Sequence, residues 1–266
     1  MSVRLARVRC RGRELEVSGG ADGAWETGAG ERPVPGEFIW LPPATGTVIG
    51  VALNLASEVG SMQEQFLADP YKAPPKWPVL FIKPRGTLCG HLSPVQQPRH
   101  TRAIQPGAAL AVVIGTRTFR AAAADAWNSV AGYTLFNDFS LPEESFFRPP
   151  IKSKCLDSFG PMGPCIVPRD EIPDPRALTV RTFVNGWIRQ QIAMRDLIHD
   201  FPALIEHITG FMTLSPGDVL VPAVPVARLD VIAGDTVAVE VEGIGRLENR
   251  VVHEQDYYAG IEDVAA

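Results

Sequence analysis

Twenty-four glycines and twenty-four prolines divide this 266-residue chain into short apolar runs. A helix interior loses about 1 kcal/mol for each glycine and about 3 kcal/mol for each proline, so long helices are excluded over most of the length. Runs such as "TVIGVALNL", "WPVLFIKP" and "ALAVVIG" read instead as buried strands separated by turns. None approaches the roughly 18 apolar residues of a membrane span, and the start, "MSVRLARVRCRGREL", is too charged for a secretory signal. A net charge of −5 argues against nucleic acid or an anionic membrane as a general partner. Cys10, Cys89, Cys155 and Cys165 lack CxxC spacing and read as reduced thiols of a cytoplasmic protein.

Residues 1–46 read as a small β-rich domain, because "RLARVRCRGRELEV" alternates in polarity and "SGGADG" and "ETGAGERPVPG" supply turns. A larger domain is expected over 47–266. Within it, "SEVGSMQEQFLADP" predicts a short helix with Ser61 and Glu64 at capping-box spacing. The alanines of "RAAAADAWNSV" predict another, and "MRDLIHDFPALIEHITGFM" predicts a helix broken near Pro202. "ALTVRTFVNGWIRQQ" predicts a hairpin turning at Asn185–Gly186. The fold class expected is α+β, mainly mixed β.

Walker A, GxSxG, HExxH and GxGxxG motifs are absent, which removes the usual templates. The scattered His199 and His207 suit packing or the surface, and Asp218 and Asp235, in Gly-Asp turns, suit local backbone bonding. The informative stretch is long and weakly periodic: "GYTLFNDFSLPEESFFRPPIKSKCLDSFGPMGP". Connections of that length more often serve function than not. It carries Asp138, Glu143, Glu144, Arg148, Lys152, Lys154 and Asp157. Lys83 closes the apolar strand "VLFIKP", where a lysine usually carries its amine out to water.

Taken in order, "GYTLFNDFS", "KSKCLDSFGPMGP", "RTFVNGWIRQQ", "FMTLSPGDVLVPAVP" and "GDTVAVEVEGIGRLENRVV" resemble the fumarylacetoacetate hydrolase family over about residues 46–255. "SLPEESFFRPPIKSKC" and "DPYKAPPKWPVLFIKPR" are most similar to the first of two repeats in fused isomerase/decarboxylases of aromatic catabolism. The resemblance implies a β-roll domain behind a small N-terminal β-rich one. It implies cleavage or rearrangement of a C–C bond next to a carbonyl in a small polycarboxylate. It also implies a divalent cation, magnesium or manganese, held by three carboxylates. A hard cation on oxygen ligands stabilises the enolate as the bond breaks.

This chain departs from that pattern. The family's Glu-x-Glu ahead of "LAVVIG" is here Gly107-Ala108-Ala109, and only Asp138 matches a family ligand. Glu58 stands where a catalytic histidine is expected, and Pro222-Ala223-Val224-Pro225 replaces a hydroxyl-bearing TGTP turn. The expectation is a metal site that is absent or weak. The alternative is an ion held by Asp138 with Glu143, Glu144 or Glu58 and the substrate's own oxygens. By the resemblance, Lys83, Lys154 and Glu58 are the candidate catalytic residues, and Arg85, Arg148 and Gln190 candidate substrate-binding residues. Three functions stay open: a metal-poor subunit of a decarboxylase/isomerase working with a homologous subunit that keeps the acids, or pairing with itself as a homodimer; a non-catalytic ligand-binding homologue; or an independent hydrolase or hydratase with a rearranged site.

Overall fold

The apolar runs pair edge to edge into two sheets. The computed structural model of the chain describes residues 3–19, 24–34, 36–69, 71–142 and 149–265, with side chains as far as 260. Among these residues the larger sheet has eleven strands. Its path runs Trp25–Thr27, Arg13–Gly19, Arg4–Cys10, Gly160–Pro168, Val130–Asn137, Ala108–Ile114, Val219–Val221, Val48–Ala52 and Val79–Lys83. Phe38–Leu41 lies beside Arg4–Cys10, and Leu88–Cys89 beside Gly160–Pro168. The smaller sheet orders Trp187–Ala193, Thr179–Val184, Thr236–Val241, Gly245–His253 and Val95–Gln97. Parallel and antiparallel pairs mix in both, and helices are few and short. The architecture is α+β, as expected.

Ala108–Ile114 is buried along its whole length, so both of its faces are covered. Side chains alternate across a strand. Accordingly Leu110, Val112 and Ile114 join a core with Tyr133, Leu135, Phe201 and Leu204. Ala109, Ala111 and Val113 join a second core with Phe81, Phe136 and Met162. The candidate site lies at the start of this second face. There Asn137 pairs with Ala108, and the Asp138 amide donates to the Gly107 carbonyl at 2.9 Å.

The Asn185–Gly186 hairpin forms as expected, both residues having positive φ (52° and 83°). Three helix expectations are corrected. Ser61 caps nothing: its hydroxyl donates back to the Glu58 carbonyl, and the segment splits into Ala56–Ser61 and Gln63–Leu67. The first of these starts because Asp196, distant in sequence, accepts from the Ser57 amide and hydroxyl. The alanine-rich run forms 3-10 turns over Ala123–Ser129, since its leading amides are drawn off to Thr209 and Glu206. Pro202 does not break a helix; it sits in the first turn of Phe201–Thr209, behind an Asp200 cap, where a missing N–H costs nothing.

Candidate functional site

Four chain segments converge on one carboxylate. Asp138 directly follows the strand Val130–Asn137, Lys83 ends Val79–Lys83, Lys154 ends the single helical turn Ile151–Lys154, and Arg228 lies in the irregular stretch after Val219–Val221. The Asp138 side chain is fully buried, with Lys83 0%, Lys154 3% and Arg228 8% exposed around it. Asp138 Oδ2 accepts from Lys154 Nζ at 2.6 Å and from Arg228 Nη2 at 2.7 Å. Oδ1 lies 3.0 Å from Lys83 Nζ. That approach is not aligned as a hydrogen bond, so Oδ1 has none among the described residues. The well-aligned Lys83 N–H groups go to the Phe139 and Phe159 carbonyls, at 2.6 and 2.7 Å.

The expectation that Lys83 carries its amine to water is therefore corrected: two backbone carbonyls and a carboxylate replace its hydration. Burial pulls its pKa down to about 8, against the opposing pull of Asp138. Burial alone would raise the Asp138 carboxyl, but Lys154, Lys83 and Arg228 together hold it far below the ordinary carboxylate range. Among the described residues, Asp138 is the carboxylate that all three cations contact.

Arg228 is the member that inspection of the sequence missed. Its Nε donates to the Pro225 carbonyl (3.1 Å), and its Nη1 to the Asp138 carbonyl (2.6 Å) and Ser140 Oγ (3.1 Å). Glu58 and Gln190 do not reach the carboxylate; they hold the backbone leading to Arg228. Glu58 accepts from the Val226 amide (2.8 Å) and the Ala227 amide (3.4 Å), and Gln190 Nε2 donates to the Ala227 carbonyl (2.7 Å). The signal for Arg228 was an unassigned cation three residues beyond the Pro222–Pro225 turn, in a chain with Gly107 and Ala109 where the resemblance implied acids. Arg85 is exposed in the turn Arg85–Thr87. There it adds to the pull of Arg9 and Arg7 in lowering the Glu14 carboxyl. Lys152 is exposed too. Glu143, Glu144 and Arg148 lie outside the described residues.

Among the described residues, the donor set around Asp138 does not match a divalent ion. No group of three or more His, Cys, Asp or Glu side chains is placed to hold a metal among the described residues. Gly107 and Ala109 offer no oxygen beyond the backbone. Within this cluster the orphaned oxygen among the described residues, Asp138 Oδ1, sits in the field of the Lys83 ammonium. Two unit charges at 4 Å in a partly polar interior interact by about 4 kcal/mol, so Lys83 alone would oppose a dication there by about 8 kcal/mol, offsetting the attraction of Asp138. Asp218 and Asp235 accept local turn amides as the sequence suggested, from Ser215 and Ile232, and Asp218 also accepts from the distant Thr47 amide. His207 stacks on Trp77.

Comparison with known proteins agrees with this architecture. The fumarylacetoacetate (FAA) hydrolase C-terminal family matches residues 47–252. The chain is 40% identical over 220 residues to the 4-hydroxyphenylacetate degradation bifunctional isomerase/decarboxylase of Escherichia coli. The match takes in 82% of this chain and 49% of that protein, so the chain spans about half the length of the curated relatives it matches first. Among solved structures, a 5-carboxymethyl-2-hydroxymuconate delta-isomerase from Mycobacterium smegmatis superposes with a TM-score of 0.81 at 32% identity, over 94% of this chain and 99% of that one. A maleylpyruvate hydrolase from Sphingobium sp. SYK-6, solved with manganese(II) and pyruvate, shares the fold at 22% identity, with a TM-score of 0.76 over 94% and 99%. The matched span, the identity to the curated relative and the superposition lead to one assignment: the chain belongs to the fumarylacetoacetate hydrolase family.

Proposed function

We propose that this chain is the metal-poor unit of a 5-oxopent-3-ene-1,2,5-tricarboxylate decarboxylase / 2-hydroxyhepta-2,4-diene-1,7-dioate isomerase of 4-hydroxyphenylacetate catabolism. In this reading it works with a homologous unit that retains the acidic ligands. One observation carries the proposal: the single family carboxylate kept here, Asp138, is already neutralised by Lys83, Lys154 and Arg228. The half-length match to a bifunctional isomerase/decarboxylase supports a role as one unit of two. A cluster of cationic side chains suits a polycarboxylate, since charge-assisted bonds to carboxylates are the strong ones. Lys83, Lys154 and Arg228 are then the groups that would fix the substrate's carboxylates, while Glu58 and Gln190 hold Arg228 in place.

The test is a decarboxylation assay on the tricarboxylate with the purified chain alone, the acid-bearing homologue alone, and both together. The expected result is no turnover by this chain alone and faster turnover by the mixture than by the homologue alone. Turnover by this chain alone at the homologue's rate would refute the division of labour.

The same three cations also favour a second reading, a non-catalytic carboxylate-binding homologue. Calorimetry with the pathway dicarboxylate separates the two. Binding, together with a mixture no faster than the homologue alone, selects the second.

A further inference from the structure

Building on that reading of the Asp138 site, we infer that Arg228 is a tethered substitute for a bound cation, and that Gly107 is the residue that admits it. A Cβ placed on Gly107 would stand 2.8 Å from Arg228 Nη1 and 2.8 Å from the Asp138 carbonyl oxygen. The guanidinium thus occupies the room toward which a side chain at 107 would point. A side chain at 107 and the guanidinium in its present position therefore compete for the same space. The strand's alternation puts position 109 on the same face as 107, in the core that also holds Phe81, whose ring lies 4.7 Å from the Lys154 ammonium.

The guanidinium is held too firmly to be a surface arginine folded inward. Nε, Nη1 and Nη2 together make four hydrogen bonds, to the Pro225 carbonyl, the Asp138 carbonyl, Ser140 Oγ and Asp138 Oδ2. Glu58 and Gln190 fix the backbone just before it. A guanidinium stays charged at any working pH, and its planar fork satisfies a carboxylate and a carbonyl together. It supplies the positive charge of an ion without exchanging with solvent, and it offers donors where an ion would offer coordination positions. The site is a fixed anion receptor, indifferent to the supply of divalent metal.

The test compares manganese(II) binding, read by electron paramagnetic resonance of the free ion, in four variants: Ala109→Glu, Ala109→Glu/Arg228→Ala, Gly107→Glu/Ala109→Glu, and Gly107→Glu/Ala109→Glu/Arg228→Ala. Removing Arg228 should tighten manganese binding at least about tenfold in each acidic background, because a unit charge a few ångströms away is worth more than that factor. Equal binding with Arg228 present or replaced would overturn the inference. Gly107 also abuts the Asp138 carbonyl, so its variants carry a folding risk; the Ala109→Glu pair leaves that backbone untouched.

A second measurement needs no acidic variant. In the 15N-labelled native chain, the Arg228 guanidinium, assigned by its loss in Arg228→Lys, should show slow rotation that excess magnesium leaves unchanged. Rapid averaging like that of exposed arginines, or displacement of the signal by magnesium, would overturn it. Both readouts are independent of substrate and partner, so their failure is distinct from failure of the decarboxylation assay.

Discussion

Asp138 is the residue on which three buried cations depend. Replacing it with asparagine removes the only carboxylate among the described residues that touches Lys83, Lys154 and Arg228. Removing one partner of a buried ion network costs about 3–5 kcal/mol, because the remaining charges stay buried uncompensated. A urea titration of Asp138→Asn should show that loss, and a change below about 1 kcal/mol would contradict it. The acid limb gives a second check. The Asp138 pKa is lowered in the folded state, so its stabilisation is complete above the unfolded carboxylate value near 4 and is lost as pH falls below it, at up to about 1.4 kcal/mol per pH unit. The native chain should therefore weaken below pH about 4 more steeply than Asp138→Asn, by one proton's worth of slope. Asp138, Lys83 and Lys154 were legible as types and positions in the sequence. Their mutual contact was not, because Arg228 approaches from a segment with no motif of its own and no periodicity to place it.

At the scale of elements, local chemistry was readable wherever it decided the outcome. Asn185–Gly186 needs two positive φ values, and its residue types announce them. A Cβ on Gly186 would meet no atom within 4 Å, so Gly186→Ala should cost only the left-handed backbone penalty, about 1–2 kcal/mol, seen as a lower urea midpoint. The helix expectations failed where distant groups intervened. Asp196 starts the helix at Ala56, and Thr209 and Glu206 capture amides of the alanine run; none of this is written within the segments affected. Strand packing gives a tighter case. Gly50 pairs with Phe81, and a Cβ there would enter the Phe81 ring. Gly50→Ala should thus cost about 1–3 kcal/mol through overpacking. It should also disturb Lys154, which rests over that ring. An unchanged melting temperature would show that the ring moves freely.

Across the whole molecule, the sheet order brings the ends of Val79–Lys83 and Val130–Asn137 to the same place, although Ala108–Ile114, Val219–Val221 and Val48–Ala52 lie between them in the sheet. That topology creates the site, and no single segment records it. Family motifs made the fold legible in advance, while Gly107 and Ala109, standing where the resemblance implied acids, did not reveal what fills the space. No helix among the described residues is long and apolar enough to cross a membrane. The central claim is that protein cations, rather than a metal, satisfy Asp138. Its most direct test is a manganese(II) titration of the unmodified chain, with and without the pathway dicarboxylate. The expected result is no saturable site in either case. Saturation at one ion per chain, abolished by Asp138→Asn, would contradict the account.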